Sequence, residues 1–97
     1  MSGNYNYVDN QLKNPYAKNE LYNQEISTWS TDETLLWLKS LKLQQYLENF
    51  KANHISGYDL CLITNEELKT ELKIMRLHDR NLMLKSIRTY LLKQCND

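Results

Sequence analysis

The sequence predicts an all-α fold, a compact bundle of five helices in which the C-terminal helix is the longest. Only two glycines and one proline occur in 97 residues, too few for the many tight turns of an all-β protein. From Trp29 onward, apolar residues recur at the spacing of amphipathic helices. Helices this short are not stable alone, so the pattern implies that they pack against one another.

The composition is that of an ordinary globular protein. Twelve Lys and Arg balance twelve Asp and Glu, and 41% of the residues are hydrophobic, so bulk charge does not indicate a nucleic-acid-binding protein. No apolar run exceeds four residues, which predicts no membrane span, and the N-terminus shows no signal peptide. Two cysteines, Cys61 and Cys95, are too few for a disulfide framework. The expected compartment is therefore reducing, intracellular and cytoplasmic.

The chain divides into three parts. Residues 1–27 form an Asn- and Tyr-rich extension without a regular apolar period, which predicts largely irregular chain. Within the extension, residues 14–22 can either form a short helix that starts at Asn14 or stay irregular. Residues 28–93 form the predicted domain, and residues 94–97 form a tail.

A capping signal and two apolar stripes define the first two helices. Ser30 and Glu33 have the spacing of a capping box, so each can satisfy an otherwise unpaired N–H group in the first helical turn. The apolar stripe of the first helix consists of Thr34, Trp37, Leu38 and Leu41. The second helix has its apolar face at Leu43, Tyr46, Leu47 and Phe50.

A turn, a short apolar segment and a fourth helix follow. Residues 55–59 predict a turn, in which Gly57 can adopt a positive φ without steric cost. Residues 60–63 are a short apolar segment. Thr64 and Glu67 form a second capping box. The helix that it starts has on its apolar face Leu68 and Leu72.

The last helix is expected to start between Leu77 and Asp79 and to run to about Lys93. The Asp79 carboxylate complements the positive end of the helix dipole. The stripe of this helix consists of Met83, Leu84, Ile87 and Leu91. The predicted core of the whole domain is Trp29, Trp37, Leu38, Leu41, Leu43, Tyr46, Phe50, Ile55, Leu60, Ile63, Leu68, Leu72, Ile74, Met83, Leu84, Ile87 and Leu91.

A gapless series of positions along the domain has a recognisable spacing. It consists of Trp29-Ser30, Trp37-Leu38, Leu43-x-x-Tyr46-x-x-x-Phe50, Asn53-x-Ile55-x-Gly57, Leu60, Ile63-Thr64, Glu67-Leu68, Leu72-x-Ile74, Arg80 and Met83-Leu84-x-x-Ile87. Together these positions closely resemble the sterile alpha motif (SAM) domain, over about residues 28–92. The resemblance implies a five-helix SAM-like bundle.

Two departures from the family pattern lead to predictions. The family commonly has glycine at three positions, so slight strain is expected at the helix junctions that contain Lys42, Lys73 and His78. Leu36 stands where SAM domains usually have a small or polar outward residue, and it cannot share a helix face with Trp37 and Leu38. We therefore expect the N-terminal extension or a partner to cover Leu36.

The resemblance also implies a non-catalytic protein–protein interaction module within a larger signalling or scaffold protein. SAM domains commonly associate head to tail, so the implied partner is a second copy or another SAM domain, including one carried by a kinase or scaffold. The acidic side of such a contact, here called the mid-loop surface, corresponds to Tyr58, Asp59, Leu62, Glu66 and Glu67. The basic side, called the end-helix surface, corresponds to Lys73, Arg76, Leu77, His78 and Arg80. Arg80 has a structural alternative, in which it packs locally against the fold.

The charges along the chain are segregated. Residues 48–71 contain five acids and two bases, a net charge of −3, whereas residues 73–93 contain six bases and one acid, a net charge of +5. Two complementary patches on one molecule are what head-to-tail association needs. The alternative is a solvated surface without a binding role.

RNA-hairpin binding through the basic start of the last helix is the alternative function. Two features count against it. The Asp79 carboxylate is expected to face the phosphates, and no aromatic residue lies among the bases of residues 73–89 for base stacking.

No residue pattern indicates an enzyme or a cofactor. His54 and Cys61 are conceivable as a nucleophile pair, but Cys61 stands where the family buries a leucine, so a small core residue is the favoured interpretation. Two histidines and two scattered cysteines do not make a metal site, and no glycine-rich phosphate loop is present.

Overall fold

The computed structural model describes residues 24–95, with side chains through Gln94. The choice between a short helix and irregular chain in residues 14–22 lies outside the described residues. Within residues 24–95 the chain forms five α-helices and no strand, and the last helix, of 19 residues, is the longest. The helices are α1 (Thr31–Ser40), α2 (Leu47–Ala52), α3 (Gly57–Leu62), α4 (Asn65–Thr70) and α5 (Leu77–Cys95). Short 3₁₀ turns precede α1 and α2, at Ile26–Thr28 and Gln44–Tyr46. The prediction of an all-α, five-helix fold is confirmed.

Two helix starts have the capping boxes that the sequence predicts. At the start of α1, the backbone N–H of Ser30 donates to Glu33 Oε1 at 2.8 Å, and the N–H of Glu33 donates to Ser30 Oγ at 3.2 Å. At the start of α4, Thr64 and Glu67 make the same reciprocal pair, at 3.0 and 3.1 Å. Each box satisfies two backbone donors that a helix leaves unpaired at its first turn.

The prediction of a turn at residues 55–59 is wrong, because α3 begins inside it. Ser56 caps this helix, and its N–H and hydroxyl both donate to Asp59 Oδ2, at 2.9 and 3.0 Å. Gly57 does not have a positive φ. A Cβ atom at Gly57 would lie 1.8 Å from the Ile26 carbonyl oxygen and 2.7 Å from Trp29 Cβ. Glycine is therefore required for the close approach of two backbones, not for its conformational freedom.

The core contains most of the predicted residues and one that the sequence analysis assigned to the extension. The buried members are Ile26, Trp29, Trp37, Leu38, Leu43, Phe50, Leu60, Leu68, Leu72, Ile74, Met83 and Ile87. Six predicted members pack against these but are only partly buried, namely Leu41, Tyr46, Ile55, Ile63, Leu84 and Leu91. Ile26 is buried because the Ile26–Trp29 segment lies on the start of α3, where the N–H of Gly57 donates to the Trp29 carbonyl at 2.9 Å. The packed unit thus includes residues before Thr28.

The C-terminal end of α5 returns to the start of the described chain. Trp29 and Tyr90 make an edge-to-face contact with ring centroids 4.9 Å apart. Gln94 Nε2 donates to the Gln24 carbonyl oxygen at 3.2 Å. The two ends of the described chain are therefore joined directly.

Two of the three expected sites of backbone strain are found. Lys42 and Lys73 both have φ 62°, in the left-handed region that favours glycine, and His54 has φ 52°. A non-glycine residue in this region costs on the order of 1 kcal/mol. The expectation for His78 is wrong, because His78 lies in the first turn of α5 without a positive φ.

None of the helices in residues 24–95 is both long enough and apolar enough to cross a membrane.

Candidate functional site

The mid-loop surface surrounds a groove of about 370 Å³ between the end of α2, α3 and α4. Four apolar side chains, three carboxylates and one amide line it. The lining residues are Asn53, Ile55, Asp59, Leu62, Ile63, Glu67, Glu71 and Leu72. The structure therefore brings together Asp59, Leu62 and Glu67. Tyr58 and Glu66 are exposed but do not line the groove.

The carboxylates of this surface are held in different ways. Asp59 and Glu67 are capping residues, so one oxygen of each accepts a backbone hydrogen bond and the side chain is fixed. The carboxylates of Glu66 and Glu71 make no hydrogen bond or ion pair with the residues that the structure describes. The lining of the groove thus combines two carboxylates fixed by helix caps with a third, Glu71, that is not fixed. Sequence reasoning counted Glu71 in the local charge but did not assign it to the surface.

The end-helix surface is an exposed segment that precedes and starts α5. Lys73, Arg76 and His78 are exposed, and Leu77 is 56% exposed. Met75, which the sequence analysis did not include, is the most exposed large apolar side chain among the described residues, at 66%. Its signal in the sequence is an apolar residue next to the core residue Ile74 that does not itself fit the α5 stripe. Two apolar side chains therefore project among three basic ones.

Arg80 does not belong to the exposed part of the end-helix surface, which corrects that assignment. Its side chain is only 6% exposed. Nη1 donates to the carbonyl oxygens of Ile74 and Met75, at 2.8 and 3.0 Å, and Nε donates to Asn65 Oδ1 at 2.9 Å. Arg80 thus has the local structural role that was the alternative.

Asp79 is also buried, so the expectation that its carboxylate faces solvent at the start of α5 is wrong. The Tyr46 hydroxyl donates to Asp79 Oδ2 at 2.5 Å. Burial raises the pKa of Tyr46 above its usual value of 10.0, and the hydrogen bond to Asp79 and its charge act in the same direction. One of the two sequence arguments against RNA binding is therefore lost.

Neither a nucleophile nor a metal site is evident in the part of the chain that the structure describes. Cys61 is half-buried, and this burial raises the pKa of its thiol, which disfavours the reactive thiolate. Residues 24–94 bring together no group of three or more His, Cys, Asp or Glu side chains that could hold a metal ion.

Leu36 is 42% exposed on α1. The extension that was expected to cover it lies almost entirely outside the described residues. Its cover by the extension or by a partner stays a prediction.

The fold and the two surfaces define a class of protein, a small helical domain with exposed, oppositely charged patches. The family model for the SAM domain (sterile alpha motif) matches residues 26–90, so this chain belongs to the SAM domain family. SAM domains are protein-interaction modules that bind other SAM domains, and their fold is typically non-catalytic.

Relatives and solved structures place the same domain in different settings. The chain is 36% identical over 62 residues to "WD repeat, SAM and U-box domain-containing protein 1" of Danio rerio, which is 64% of this chain and 13% of that protein. It is 41% identical over 46 residues to "Dual specificity protein kinase splA" of Dictyostelium discoideum, 47% of this chain and 2% of the kinase. The solved SAM domain of mouse bifunctional apoptosis regulator matches with a TM-score of 0.68 and 22% identity, over 80% of this chain and 87% of that one. This chain thus spans only a small part of these two curated relatives.

Proposed function

We propose that this domain associates head to tail, with the end-helix surface of one copy seated in the mid-loop groove of the next. The observation that carries the proposal is that one domain has both a groove lined by apolar and acidic side chains and an exposed segment with two apolar and three basic side chains. Each surface offers what the other lacks.

The energetics of such a contact divide between the apolar and charged residues. Met75 and Leu77 supply apolar area that would be removed from water in the groove, which is the main source of affinity. Lys73 and Arg76 would face Asp59, Glu67 and Glu71. Charge pairs of this kind contribute to encounter rate and register more than to affinity. A single small contact is expected to be weak and to depend on valency.

The geometry of the contact determines the form of the assembly. The two surfaces differ, so the contact is heterologous and propagates into an open chain or a ring, and does not close as a two-fold dimer. If the partner is a different SAM domain, for example on a kinase or scaffold protein, only one of the two surfaces is used and the complex stops at two domains. Two of the relatives are named as kinases, "Dual specificity protein kinase splA" and "Diacylglycerol kinase eta".

The test is sedimentation velocity of the purified chain over a range of protein concentration, at low and high salt. Self-association predicts a mass that grows with concentration and falls with salt, because salt screens exposed charges. Leu77→Glu removes the end-helix anchor, and Glu71→Arg reverses a groove charge without breaking a helix cap. Each variant alone should be monomeric. A mixture of the two should stop at a dimer, since one intact copy of each surface remains.

Matched substitutions outside the two surfaces are the controls. Leu92→Glu makes the same change at the other end of α5, where the side chain is 58% exposed. Glu48→Arg reverses an exposed charge on α2 that does not line the groove. Both controls should assemble like the wild type. If all five proteins are strict monomers, self-association is contradicted and a different SAM domain becomes the partner to seek.

RNA binding by the end-helix surface is the alternative function, and two further variants distinguish it from self-association. Fluorescence anisotropy with an RNA hairpin measures it directly. RNA binding that is lost in Lys73→Ala and Arg76→Ala but unchanged in Glu71→Arg would replace the proposed function. The absence of aromatic residues among the bases of residues 73–89 is the reason that protein–protein association is preferred.

A further inference from the structure

The segment between α4 and α5 is irregular, yet its backbone is held at several points. The Leu72 carbonyl accepts a hydrogen bond from Asn49 Nδ2 at 2.7 Å, and the N–H of Ile74 donates to the Leu68 carbonyl at 3.0 Å. The next two carbonyls, of Ile74 and Met75, accept from Arg80 Nη1. Three carbonyl groups of this segment are thus satisfied by side chains, one from Asn49 on α2 and two from Arg80 in the first turn of α5.

Arg80 is held in turn by α4. Its Nε donates to Asn65 Oδ1 at 2.9 Å, and its guanidinium makes no ion pair with the residues that the structure describes. The buried charge is therefore compensated by three oxygen acceptors in a fork geometry that a lysine cannot reproduce. Asn65 fixes the plane of the fork, and the fork fixes the backbone from which Met75 projects.

We propose that Asn65 and Arg80 are positioning residues that preform the end-helix surface. The inference rests on the proposed function, since it concerns one of the two surfaces of that contact. Preforming a binding segment improves affinity because the ordering cost is not incurred on binding. The unexpected member is Asn65. It immediately precedes Glu66 and Glu67 of the mid-loop surface, yet it supports the end-helix surface.

The two half-blocked variants let each surface be measured alone. The Glu71→Arg chain, called the end-helix donor, keeps only the end-helix surface, and the Leu77→Glu chain, called the mid-loop donor, keeps only the groove. Isothermal titration calorimetry of one against the other gives the Kd of a single contact. Adding Asn65→Ala to the end-helix donor should weaken that Kd about tenfold. Adding Asn65→Ala to the mid-loop donor should leave it within about twofold, because the groove does not depend on Asn65.

Two further variants make the test specific. Asn65→Asp keeps the acceptor oxygen, so it should restore the affinity that Asn65→Ala loses. Asn81→Ala makes the same truncation at an exposed site on α5 and should have no effect in either donor. Arg80→Lys should behave like Asn65→Ala or more severely. Arg80 is buried, so Arg80→Lys can prevent folding. Asn65 is exposed, so Asn65→Ala should fold and is then the decisive variant.

The outcomes separate this inference from the proposed function. Equal weakening by Asn65→Ala in both donors would mean a general structural role, and weakening only in the mid-loop donor would place Asn65 in the groove contact. Either result overturns the inference. If the two donors do not bind at all, the proposed function fails but the positioning is still measurable. Amide hydrogen exchange at Ile74, whose N–H donates to the Leu68 carbonyl at 3.0 Å, should rise about tenfold in the isolated end-helix donor on Asn65→Ala. Unchanged exchange there would overturn the inference by itself.

Discussion

The mid-loop surface and the end-helix surface are built in different ways. The mid-loop surface lies on two short helices, and each helix start is fixed by a capping box that spans only four residues. The end-helix surface lies on irregular chain that is fixed by Asn49 and Arg80, side chains from α2 and α5. Bonds within four-residue boxes thus shape the acidic surface. The basic surface depends instead on Arg80, which binds carbonyls five and six residues before it, and on Asn49, which lies 23 residues before Leu72.

This difference has a consequence for how each surface fails. Losing one cap frays one helix end, and the apolar side chains that line the groove stay packed. Losing Asn49 or Arg80 leaves buried carbonyls without a partner and frees the segment that carries Met75. A buried polar group left without a partner costs about 1–3 kcal/mol.

The largest effect is expected from Gly57→Ala, which breaks the support of the mid-loop surface. The new methyl group would overlap the Ile26 carbonyl, since its Cβ would lie 1.8 Å from that oxygen. We expect a loss of about 3 kcal/mol, typical of severe overpacking, and a fall in Tm of about 15 °C. Thermal denaturation followed by circular dichroism measures it. An unchanged Tm would show that the Ile26–Trp29 segment does not lie on α3.

Tyr46→Phe tests the support of α5 next to the end-helix surface. It removes the hydroxyl that donates to the buried Asp79 carboxylate, and a bond to a charged group is worth about 2 kcal/mol. Chemical denaturation at neutral pH gives this difference. Tyr58→Phe, at an exposed site, is the control and should change nothing.

The stabilisation that the Tyr46 hydroxyl provides should depend on pH, and the direction of this dependence follows from its pKa. The pKa of Tyr46 is raised in the folded state, so folding favours the neutral phenol. This contribution is complete below pH 10, the usual tyrosine value, and is lost as the pH rises through the higher folded pKa. The difference in unfolding free energy between wild type and Tyr46→Phe should therefore shrink above pH 10. A gap that stays constant would contradict the hydrogen bond to Asp79.

Asn49→Ala tests the long-range support of the end-helix segment directly. The Leu72 carbonyl would lose its donor, and we expect a loss of about 1.5 kcal/mol in chemical denaturation. Asn53→Ala is the matched control, because its amide makes an exposed bond to the Asn49 carbonyl and should cost about 0.5 kcal/mol. If Asn49→Ala and Asn53→Ala lowered the free energy of unfolding equally, the Asn49 bond to the Leu72 carbonyl would not be a special support of the end-helix segment.

The smallest effect is expected from Ser56→Ala, which removes one cap of the mid-loop surface. The cost should be about 1 kcal/mol, the usual value of an N-cap. Thr64→Ala should cost a similar amount, and Ser27→Ala, at an exposed site without a side-chain bond, should cost nothing. Denaturant midpoints measure all three. A much larger loss for Ser56→Ala would mean that the groove depends on this cap as strongly as the end-helix segment depends on Asn49.

The sequence was most informative where the deciding interactions are local. The boxes at Ser30 and Thr64 follow from residue type and spacing, and the apolar stripes identified most of the core. The box at Ser56 has the same spacing, Ser-x-x-Asp. It was missed because a glycine inside it was interpreted as a sign of a turn.

Long-range contacts explain the other errors. Ile26 is a lone apolar residue in a polar segment, and nothing near it in the sequence indicates that it packs on α3. The direction of Asp79 depends on Tyr46, and the burial of Arg80 depends on Asn65. Both partners are distant in sequence. Most residues of the end-helix surface could thus be named in advance, but not Met75, nor which of them are exposed.

The hydrogen bond between Gln94 and the Gln24 carbonyl bears on how this domain can be connected to a host chain. Polypeptide that leads in and polypeptide that leads out would both depart from one site, next to the end of α5. Along α5 that site is about 25 Å from Leu77, at 1.5 Å per residue. A host protein can therefore hold the domain through one attachment site. That site is one length of α5 away from the end that carries Met75 and Leu77. Insertion into a surface loop of the host is then as feasible as fusion at either terminus.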